Sequence, residues 1–337
     1  MKKIVIITDV WYPQVNGVMT ILEKTIELLE KKGFIVTVIH PGLFKTIPMP
    51  FYSEIRTPLF SRNKIKQILK KENPDHIHII TEGMLGLNTR SICNKYNLKF
   101  TSSYHTHFPE YLKIRSGTGL FYDSVYKYLR WFHNASVKTM VATEDLKNEL
   151  QERGFNDLVI WPCAVDTDFF VKSKNNTINI NFQKPVFFYL GRVAEEKNIE
   201  EYLKCHLPGT KLVIGDGPER KKLEKQYGGK AIFIGYKKGK ELVDLISLCD
   251  VMVFPSRTDT FGLTIIEAMS CGIPVAAHDV MGPRDIISSG VDGFLDEDLV
   301  KAATKCLTLS GENCRNKAMN YSWDNSVESL ISNLTQI

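Results

Sequence analysis

A chain of 337 residues with 43% hydrophobic and 24% charged residues has a globular composition. Disorder, collagen and low-complexity scaffolds are excluded, and the length predicts two domains with cores large enough to need no disulfides. The net charge of +5 lies wholly in the first half: residues 1–170 hold 22 Lys and Arg against 17 Asp and Glu, and residues 171–337 hold 21 of each. A basic half suits phosphates, nucleic acid or an anionic membrane, or else is a solvated surface with no partner.

In chain order, Lys3–Thr8 is an apolar run that reads as a first strand, too short for the core of a signal peptide. A loop with Pro13, Asn16 and Gly17 leads into a predicted helix over Val18–Lys32, which Gly33 stops before a strand at Phe34–His40. A basic helix at Asn63–Lys71 precedes a strand at His76–Ile80, and a helix at Leu85–Asn94 precedes a strand at Lys99–Tyr104. Strands at Lys138–Ala142 and Leu158–Trp161 continue the alternation. No apolar run approaches the roughly 18–20 residues of a membrane helix.

The polar stretch Lys172–Lys184 breaks this rhythm and reads as a linker. A second series follows, with strands at Val186–Leu190, Lys211–Gly215, Ala231–Ile234, Val251–Phe254 and Pro274–Ala277. Helices fall at Ile199–Lys204, Glu219–Tyr227, Lys240–Leu248 and Leu263–Ser270, then at Glu297–Leu309 and Ser322–Leu334. Strand–helix alternation predicts parallel sheets with crossover helices, giving two Rossmann-like doubly wound α/β domains facing across a cleft. The first spans 1–172 and the second 178–320, with the C-terminal helix 322–335 a candidate to pack back on the first. The seven cysteines are odd in number and show no C-x-x-C spacing, which suits buried thiols in a reducing compartment.

The most informative stretch is FPSRTDTFGLTIIEAMSCGIP at 254–274. Asp259 lies in a loop after a strand, and Phe261 and Gly262 open a helix. Amides at a helix N-terminus point at anions, and Gly262 permits close approach of a phosphate. Glu267 is placed to accept two hydrogen bonds from a ribose diol. The competing reading is a capped amphipathic helix whose acids face water. A cationic loop, YLGRVAEEKN at 189–198, follows the first strand of the second half. The Arg192 fork and the Lys197 point charge suit a diphosphate whose charge grows as it leaves; otherwise they are surface cations paired with Glu195 and Glu196.

With DVWYPQVNG, YHTHF at 104–108, AVDTDFF at 164–170 and GDGPER at 215–220, these segments run from residue 4 to about 325. The chain resembles glycosyltransferase family 4, with the GT-B fold, and within it bacterial mannosyltransferase-like and glycolipid-forming enzymes. The resemblance implies that Asp259 stands at the first acid of the family's Glu-x7-Glu motif, facing the donor sugar, though one methylene shorter than Glu. Glu267 stands at the second, holding the ribose. Arg192 and Lys197 correspond to the diphosphate clamp, and Phe261, Gly262 and Leu263 to the backbone cradle for the distal phosphate and sugar. Gly17 corresponds to the glycine of the N-terminal loop that closes over the phosphate. His105 corresponds to the family's His beside the reacting sugar, and His107 is a neighbour without an assigned role.

The implied activity is a retaining, metal-independent transfer of a hexose from a nucleotide-diphosphate sugar, GDP-mannose or UDP-hexose. The acceptor is a membrane lipid or lipid-linked saccharide. No cofactor, metal or nucleic-acid partner is expected. Asp166–Asp168 and Asp296–Asp298 have Asp-x-Asp form but sit in a turn and at a helix start. Gly215 and Gly217 match only part of a dinucleotide fingerprint, and Tyr236 and Lys237 are candidates for the base. Basic and aromatic residues interleave at Arg62–Lys71 and Lys113–Phe132, fitting an anionic membrane surface or half-buried helices. The expected location is cytoplasmic, with the inner face of the cell membrane as a candidate peripheral site. The rivals are a nucleotide-sugar epimerase on the same fold, a non-catalytic nucleotide-sugar-binding protein and, third, a dehydrogenase.

Overall fold

The computed structural model describes residues 1–12, 17–49, 52–105, 109, 122–178, 180–259 and 261–337, with side chains excepted at 20, 49 and 52–55. Pro13, Asn16, His107, Lys113, Arg115 and Phe121 therefore lie outside the described residues. The described chain forms two compact units: residues 1–109, 122–163 and 324–337 in the first, 164–323 in the second.

The first unit runs β1 (Lys3–Ile7), α1 (Gly17–Lys31), β2 (Ile35–Ile39), β3 (Thr46–Met49), β4 (Tyr52–Pro58), α2 (Ser61–Glu72), β5 (His76–Ile79) and α3 (Met84–Tyr96). It continues with β6 (Thr101–Tyr104), α4 (Tyr122–His133), β7 (Lys138–Val141), α5 (Glu144–Glu152) and β8 (Leu158–Ile160). Six strands form a parallel sheet in the order β2-β1-β5-β6-β7-β8. Ile4, Val5, Ile6 and Ile7 are all buried, as expected for a strand covered on both faces. The antiparallel β3–β4 hairpin has no counterpart in the sequence reading. Pro48 and Pro58 within it argue against strand when read locally.

The second unit runs β9 (Val186–Leu190), α6 (Ile199–Lys204), β10 (Thr210–Ile214), α7 (Arg220–Tyr227), β11 (Ile232–Gly235), α8 (Gly239–Ser247) and β12 (Val251–Phe254). Then come α9 (Leu263–Ser270), β13 (Val275–Ala277), α10 (Pro283–Ile286), β14 (Gly293–Leu295), α11 (Leu299–Cys306) and α12 (Gly311–Ala318). Its parallel sheet has the order β11-β10-β9-β12-β13-β14. The helix expected from Glu297 starts at Leu299, because Asp298 Oδ1 accepts from Val300 N at 2.9 Å and caps it. Helix α12, unexpected from sequence, starts after Ser310, whose hydroxyl accepts from Glu312 N.

Two contacts steady the parts of the second unit that carry the site. Arg315 Nη1 reaches the carbonyls of Thr167 (3.1 Å), Phe170 (3.0 Å) and Ser270 (2.7 Å), tying the start of the unit to the end of α9. The fully buried Asp244 takes hydrogen bonds from Thr177 N and Oγ1 and pairs with Lys240, which pins the polar linker to α8.

The last helix, α13 (Trp323–Asn333), belongs to the first unit. Trp161 Nε1 donates to Ser326 Oγ at 3.1 Å, and Ser326 donates to the Pro162 carbonyl at 2.6 Å. Ile337 N closes on the Asp75 carbonyl at 3.0 Å.

Candidate functional site

In the second unit the strand order reverses direction at β9: the chain passes to β10 on one side and later returns to β12 on the other. Ligands of doubly wound sheets bind beyond the carboxyl ends of strands at such a switch point. Pairing between β9 and β12 is confined to Val251–Phe187 and Met252–Phe188. The loops leaving Leu190 and Phe254 start from the two strands that flank this opening.

The loop after β9 carries Arg192, then a turn of 3₁₀ helix, Glu195–Lys197. Lys197 Nζ ion-pairs with Asp259, in the loop after β12, and both side chains are largely enclosed. Arg192 Nη1 lies 3.7 Å from Glu196 Oε1, and Glu196 is only 4% exposed. The sequence alternative paired these cations with Glu195 and Glu196 at the surface. The structure keeps Glu196 for Arg192, from below, and gives Lys197 to Asp259. Thr258 Oγ1 donates to the Glu196 carbonyl at 3.2 Å, a further link between the two loops.

Phe261 is buried with its ring edge-on to Tyr321, 5.7 Å between centroids. Gly262 precedes α9 with φ 101°, a left-handed conformation costly for any side chain. Leu263 then starts the helix, so its first amides open beside Asp259 and Phe261 in sequence. Gly282 makes a second close approach, because a Cβ there would lie 2.6 Å from the Asp259 carbonyl and 2.9 Å from that of Phe261. Glu267, in the second turn of α9, is half-buried. Burial alone pushes its carboxyl up to about 7. The structure thus gathers Arg192, Lys197, Asp259, Phe261, Gly262, Leu263 and Glu267 on two neighbouring loops and one helix.

In the first unit Gly17 is the exposed first residue of α1, and His105 follows β6. The His105 ring stands edge-on to Trp161 at 5.3 Å. Its imidazole is held down to about 4, by burial first and the neighbouring His133 second, which makes it neutral at pH 7. Around it lies a polar interior: His78 bonds Thr101 Oγ1 and Ser103 Oγ at 2.8 Å each, and His133 bonds Ser102 Oγ at 2.8 Å and Glu82 Oε1 at 3.0 Å. Sequence reading missed Asp9, at the end of β1. Its carboxylate accepts from Leu85 N (2.8 Å) and Gly86 N (3.3 Å), capping α3 from another strand. Burial raises its carboxyl to about 6.

The weaker motifs have local partners. Asp166 Oδ1 accepts from Phe169 N at 3.0 Å, Asp296 pairs with Lys301 at 2.7 Å, and Asp298 caps α11. Among the described residues no cluster of three His, Cys, Asp or Glu could hold a metal. Asp216 pairs with Arg220 at 3.0 Å inside the GDGPER turn. Tyr236 is 57% exposed, and Lys237 pairs with Glu241. On α2, Lys64, Lys66, Lys70 and Lys71 are exposed and Ile65 and Leu69 buried, so the basic residues form an outer face. Phe60, just before it, is 96% exposed.

Residues 15–169 match the family model described as Glycosyltransferase Family 4, and residues 171–318 match Glycosyl transferases group 1. The chain is 26% identical to a GDP-mannose-dependent alpha-mannosyltransferase of Corynebacterium glutamicum, over 87% of this chain and 76% of that protein. It is 25% identical to the alpha-monoglucosyldiacylglycerol synthase of Streptococcus pneumoniae, over 90% of this chain and 78% of that protein. Among solved structures, sucrose-phosphate synthase of Thermosynechococcus elongatus superposes with a TM-score of 0.82 at 20% identity, covering 98% of both chains. That likeness shows the fold, two Rossmann-like domains of the GT-B type.

Glu267 gives a pH-dependent test of the site. Its folded carboxyl holds a proton between the ordinary value of 4.5 and about 7, where the unfolded chain has lost it. Folded stability therefore falls as pH rises through that window. Glu267→Gln cannot ionise, so it is expected to match wild type near pH 4.5 and to exceed it above pH 8 by up to about 3 kcal/mol. Urea unfolding across pH checks this, and equal pH profiles would contradict a Glu267 carboxyl raised by its surroundings in α9.

Proposed function

This chain belongs to family 4 of the glycosyltransferases, and we propose that it moves a hexose from a nucleotide-diphosphate sugar, GDP-mannose or UDP-hexose, to a membrane lipid or lipid-linked saccharide. The carrying observation is the meeting of Lys197 and Asp259 across the opening between β9 and β12, beside the start of α9. The named activities of the two relatives, one using GDP-mannose and one making a glucosyl lipid, support the donor and acceptor classes.

Glycosyl transfer builds positive charge on the anomeric carbon and negative charge on the departing diphosphate. Preorganised donors aimed at that diphosphate lower the barrier. In the proposed reaction Lys197 and Arg192 neutralise the leaving group, with Glu196 steadying the guanidinium from below. The first amides of α9 add a partial positive charge for the distal phosphate. Asp259 faces the sugar, and in donor-free protein its carboxylate holds Lys197 in place. Glu267, as a carboxylate, accepts from the ribose diol. No described group stands as an obvious enzymic nucleophile. As the family resemblance implies, the proposed route is front-face attack with retention and without metal, the departing phosphate taking the acceptor's proton. Gly17 and His105 take the roles that the family implies, and a neutral His105 would donate or accept a hydrogen bond at the sugar without adding charge.

The outward basic face of α2 and the bare Phe60 support docking on an anionic membrane, at the cytoplasmic face where nucleotide sugars are made available. No helix among the described residues is long and apolar enough to cross a membrane.

A donor screen with membrane extract, read by mass spectrometry of the lipid product, tests the proposal directly. A hexosyl lipid formed equally well in chelator is expected. A sugar returned as its epimer, or a strict metal requirement, would contradict it. Lys197→Ala is expected to lower turnover by about 10²-fold or more, since it deletes a preorganised charge stabiliser; near-normal turnover would remove Lys197 from the clamp. Replacing Lys64, Lys66, Lys70 and Lys71 with Glu is expected to abolish sedimentation with anionic vesicles, and unchanged sedimentation would refute docking through α2.

A further inference from the structure

Beneath the Lys197–Asp259 pair lies a charged cluster that neither the motifs nor the proposed chemistry uses. Glu201 is the third residue of α6. Its carboxylate accepts from the side-chain amide of Asn198, the residue after Lys197. Its Oε1 lies 3.1 Å from His278 Nε2 and 3.7 Å from Arg257 Nη2. Arg257, two residues before Asp259, also meets Glu297 at 2.9 Å. His278, the residue after β13, is fully buried, and its Nδ1 lies 3.9 Å from Glu297 Oε2.

One carboxylate thus touches both loops of the site and the strand beside them. Asn198 is held at φ 52°, a left-handed conformation, and its amide also reaches the Pro255 carbonyl at 3.3 Å. The neighbouring Glu200 points elsewhere, accepting from Tyr227 at 2.8 Å. A conformation that asparagine adopts only at some cost, and a half-exposed acid facing a buried imidazole and a guanidinium, both serve to fix loop geometry.

We propose that Glu201 is a positioning residue: through Asn198 on one loop and Arg257 on the other, it sets Lys197 against Asp259. Its consequence for turnover rests on the donor-site reading above, whereas its effect on the ion pair does not.

The ion pair can be followed on the purified protein without any substrate. A pairing carboxylate occupies the Lys197 ammonium and shields it from a bulky acylating reagent. The rate of Lys197 labelling by a succinimidyl ester, read by mass spectrometry against the exposed Lys221, reports how firmly the pair is held. Asp259→Asn and Glu201→Ala are each expected to raise that rate, by roughly threefold or more. The double variant should be no faster than Asp259→Asn alone, because the two act on one contact. Glu201→Gln keeps the shape but loses the charge facing Arg257 and His278. It should move the rate in the same direction by a smaller factor, and it replaces Glu201→Ala if circular dichroism shows that variant unfolded. Labelling unchanged in both Glu201 variants, or additive in the double variant, would overturn the proposal.

With a donor identified by the screen, Glu201→Ala should lower kcat by about tenfold or more while donor KM moves less than about threefold, as expected for misplaced reacting groups. A rise in KM with kcat unchanged would overturn the catalytic consequence. If wild type transfers no sugar, the proposed function falls and the labelling rates still decide whether Glu201 sets the pair.

Discussion

The second unit is organised by one constraint, the reversal of strand order at β9. Successive crossovers leave β9 toward opposite sides, and its pairing with β12 stops at Phe188 and Met252. The backbone groups and loops beyond that point have no third strand between them. Two segments sixty residues apart in sequence, 191–198 and 255–262, are thereby brought together, and the helix that follows the second presents its N-terminus there. Gly282 lets a third loop close on the carbonyls of Asp259 and Phe261. Any side chain at that position would clash with the backbone of the acid-bearing loop.

Charge is handled in the same place by local pairing. Each of the two cations in the loop after β9 has an acid: Arg192 has the buried Glu196, and Lys197 has Asp259. An unpaired buried charge costs several kcal/mol, so partners of this kind let largely enclosed cations stay in one geometry. Glu267 shows the opposite solution. No ion pair is seen for it among the described residues, and burial raises its carboxyl to about 7. The first unit has a different balance again, because its buried His78 and His133 bond hydroxyls of Thr101, Ser102 and Ser103 along β6.

Much of this was legible in the chain. Ile4–Ile7 and Val186–Leu190 are short, β-branched or aromatic apolar runs that suit strands covered on both faces, and their alternation with helices predicts parallel sheets. Arg192, Lys197, Asp259 and Glu267 stand at strand ends and a helix start, where polar groups in a doubly wound fold meet ligands. The hairpin β3–β4 was not legible, because its prolines argue locally against strand. Helix α12 escaped notice because its one strong signal, the cap at Ser310, precedes only eight residues with a short apolar stripe. Asp9 and Glu201 were invisible as well, since their partners, Leu85 and His278, lie about 76 and 77 residues away.

What the sequence determined by itself is most of the core strands and the helices between them, and which charged residues stand in the loops after β9 and β12, for both are written in local pattern and residue type. Period, glycine placement and cap residues act over a few positions, and so can be read without a fold. What only the tertiary structure decided is which charges meet. Sequence proximity favoured Glu195 and Glu196 as the partners of both cations, yet Lys197 turned to Asp259, 62 positions on. Strand order, not chain order, sets which loop ends are neighbours, and an ion pair forms with the charge nearest in space.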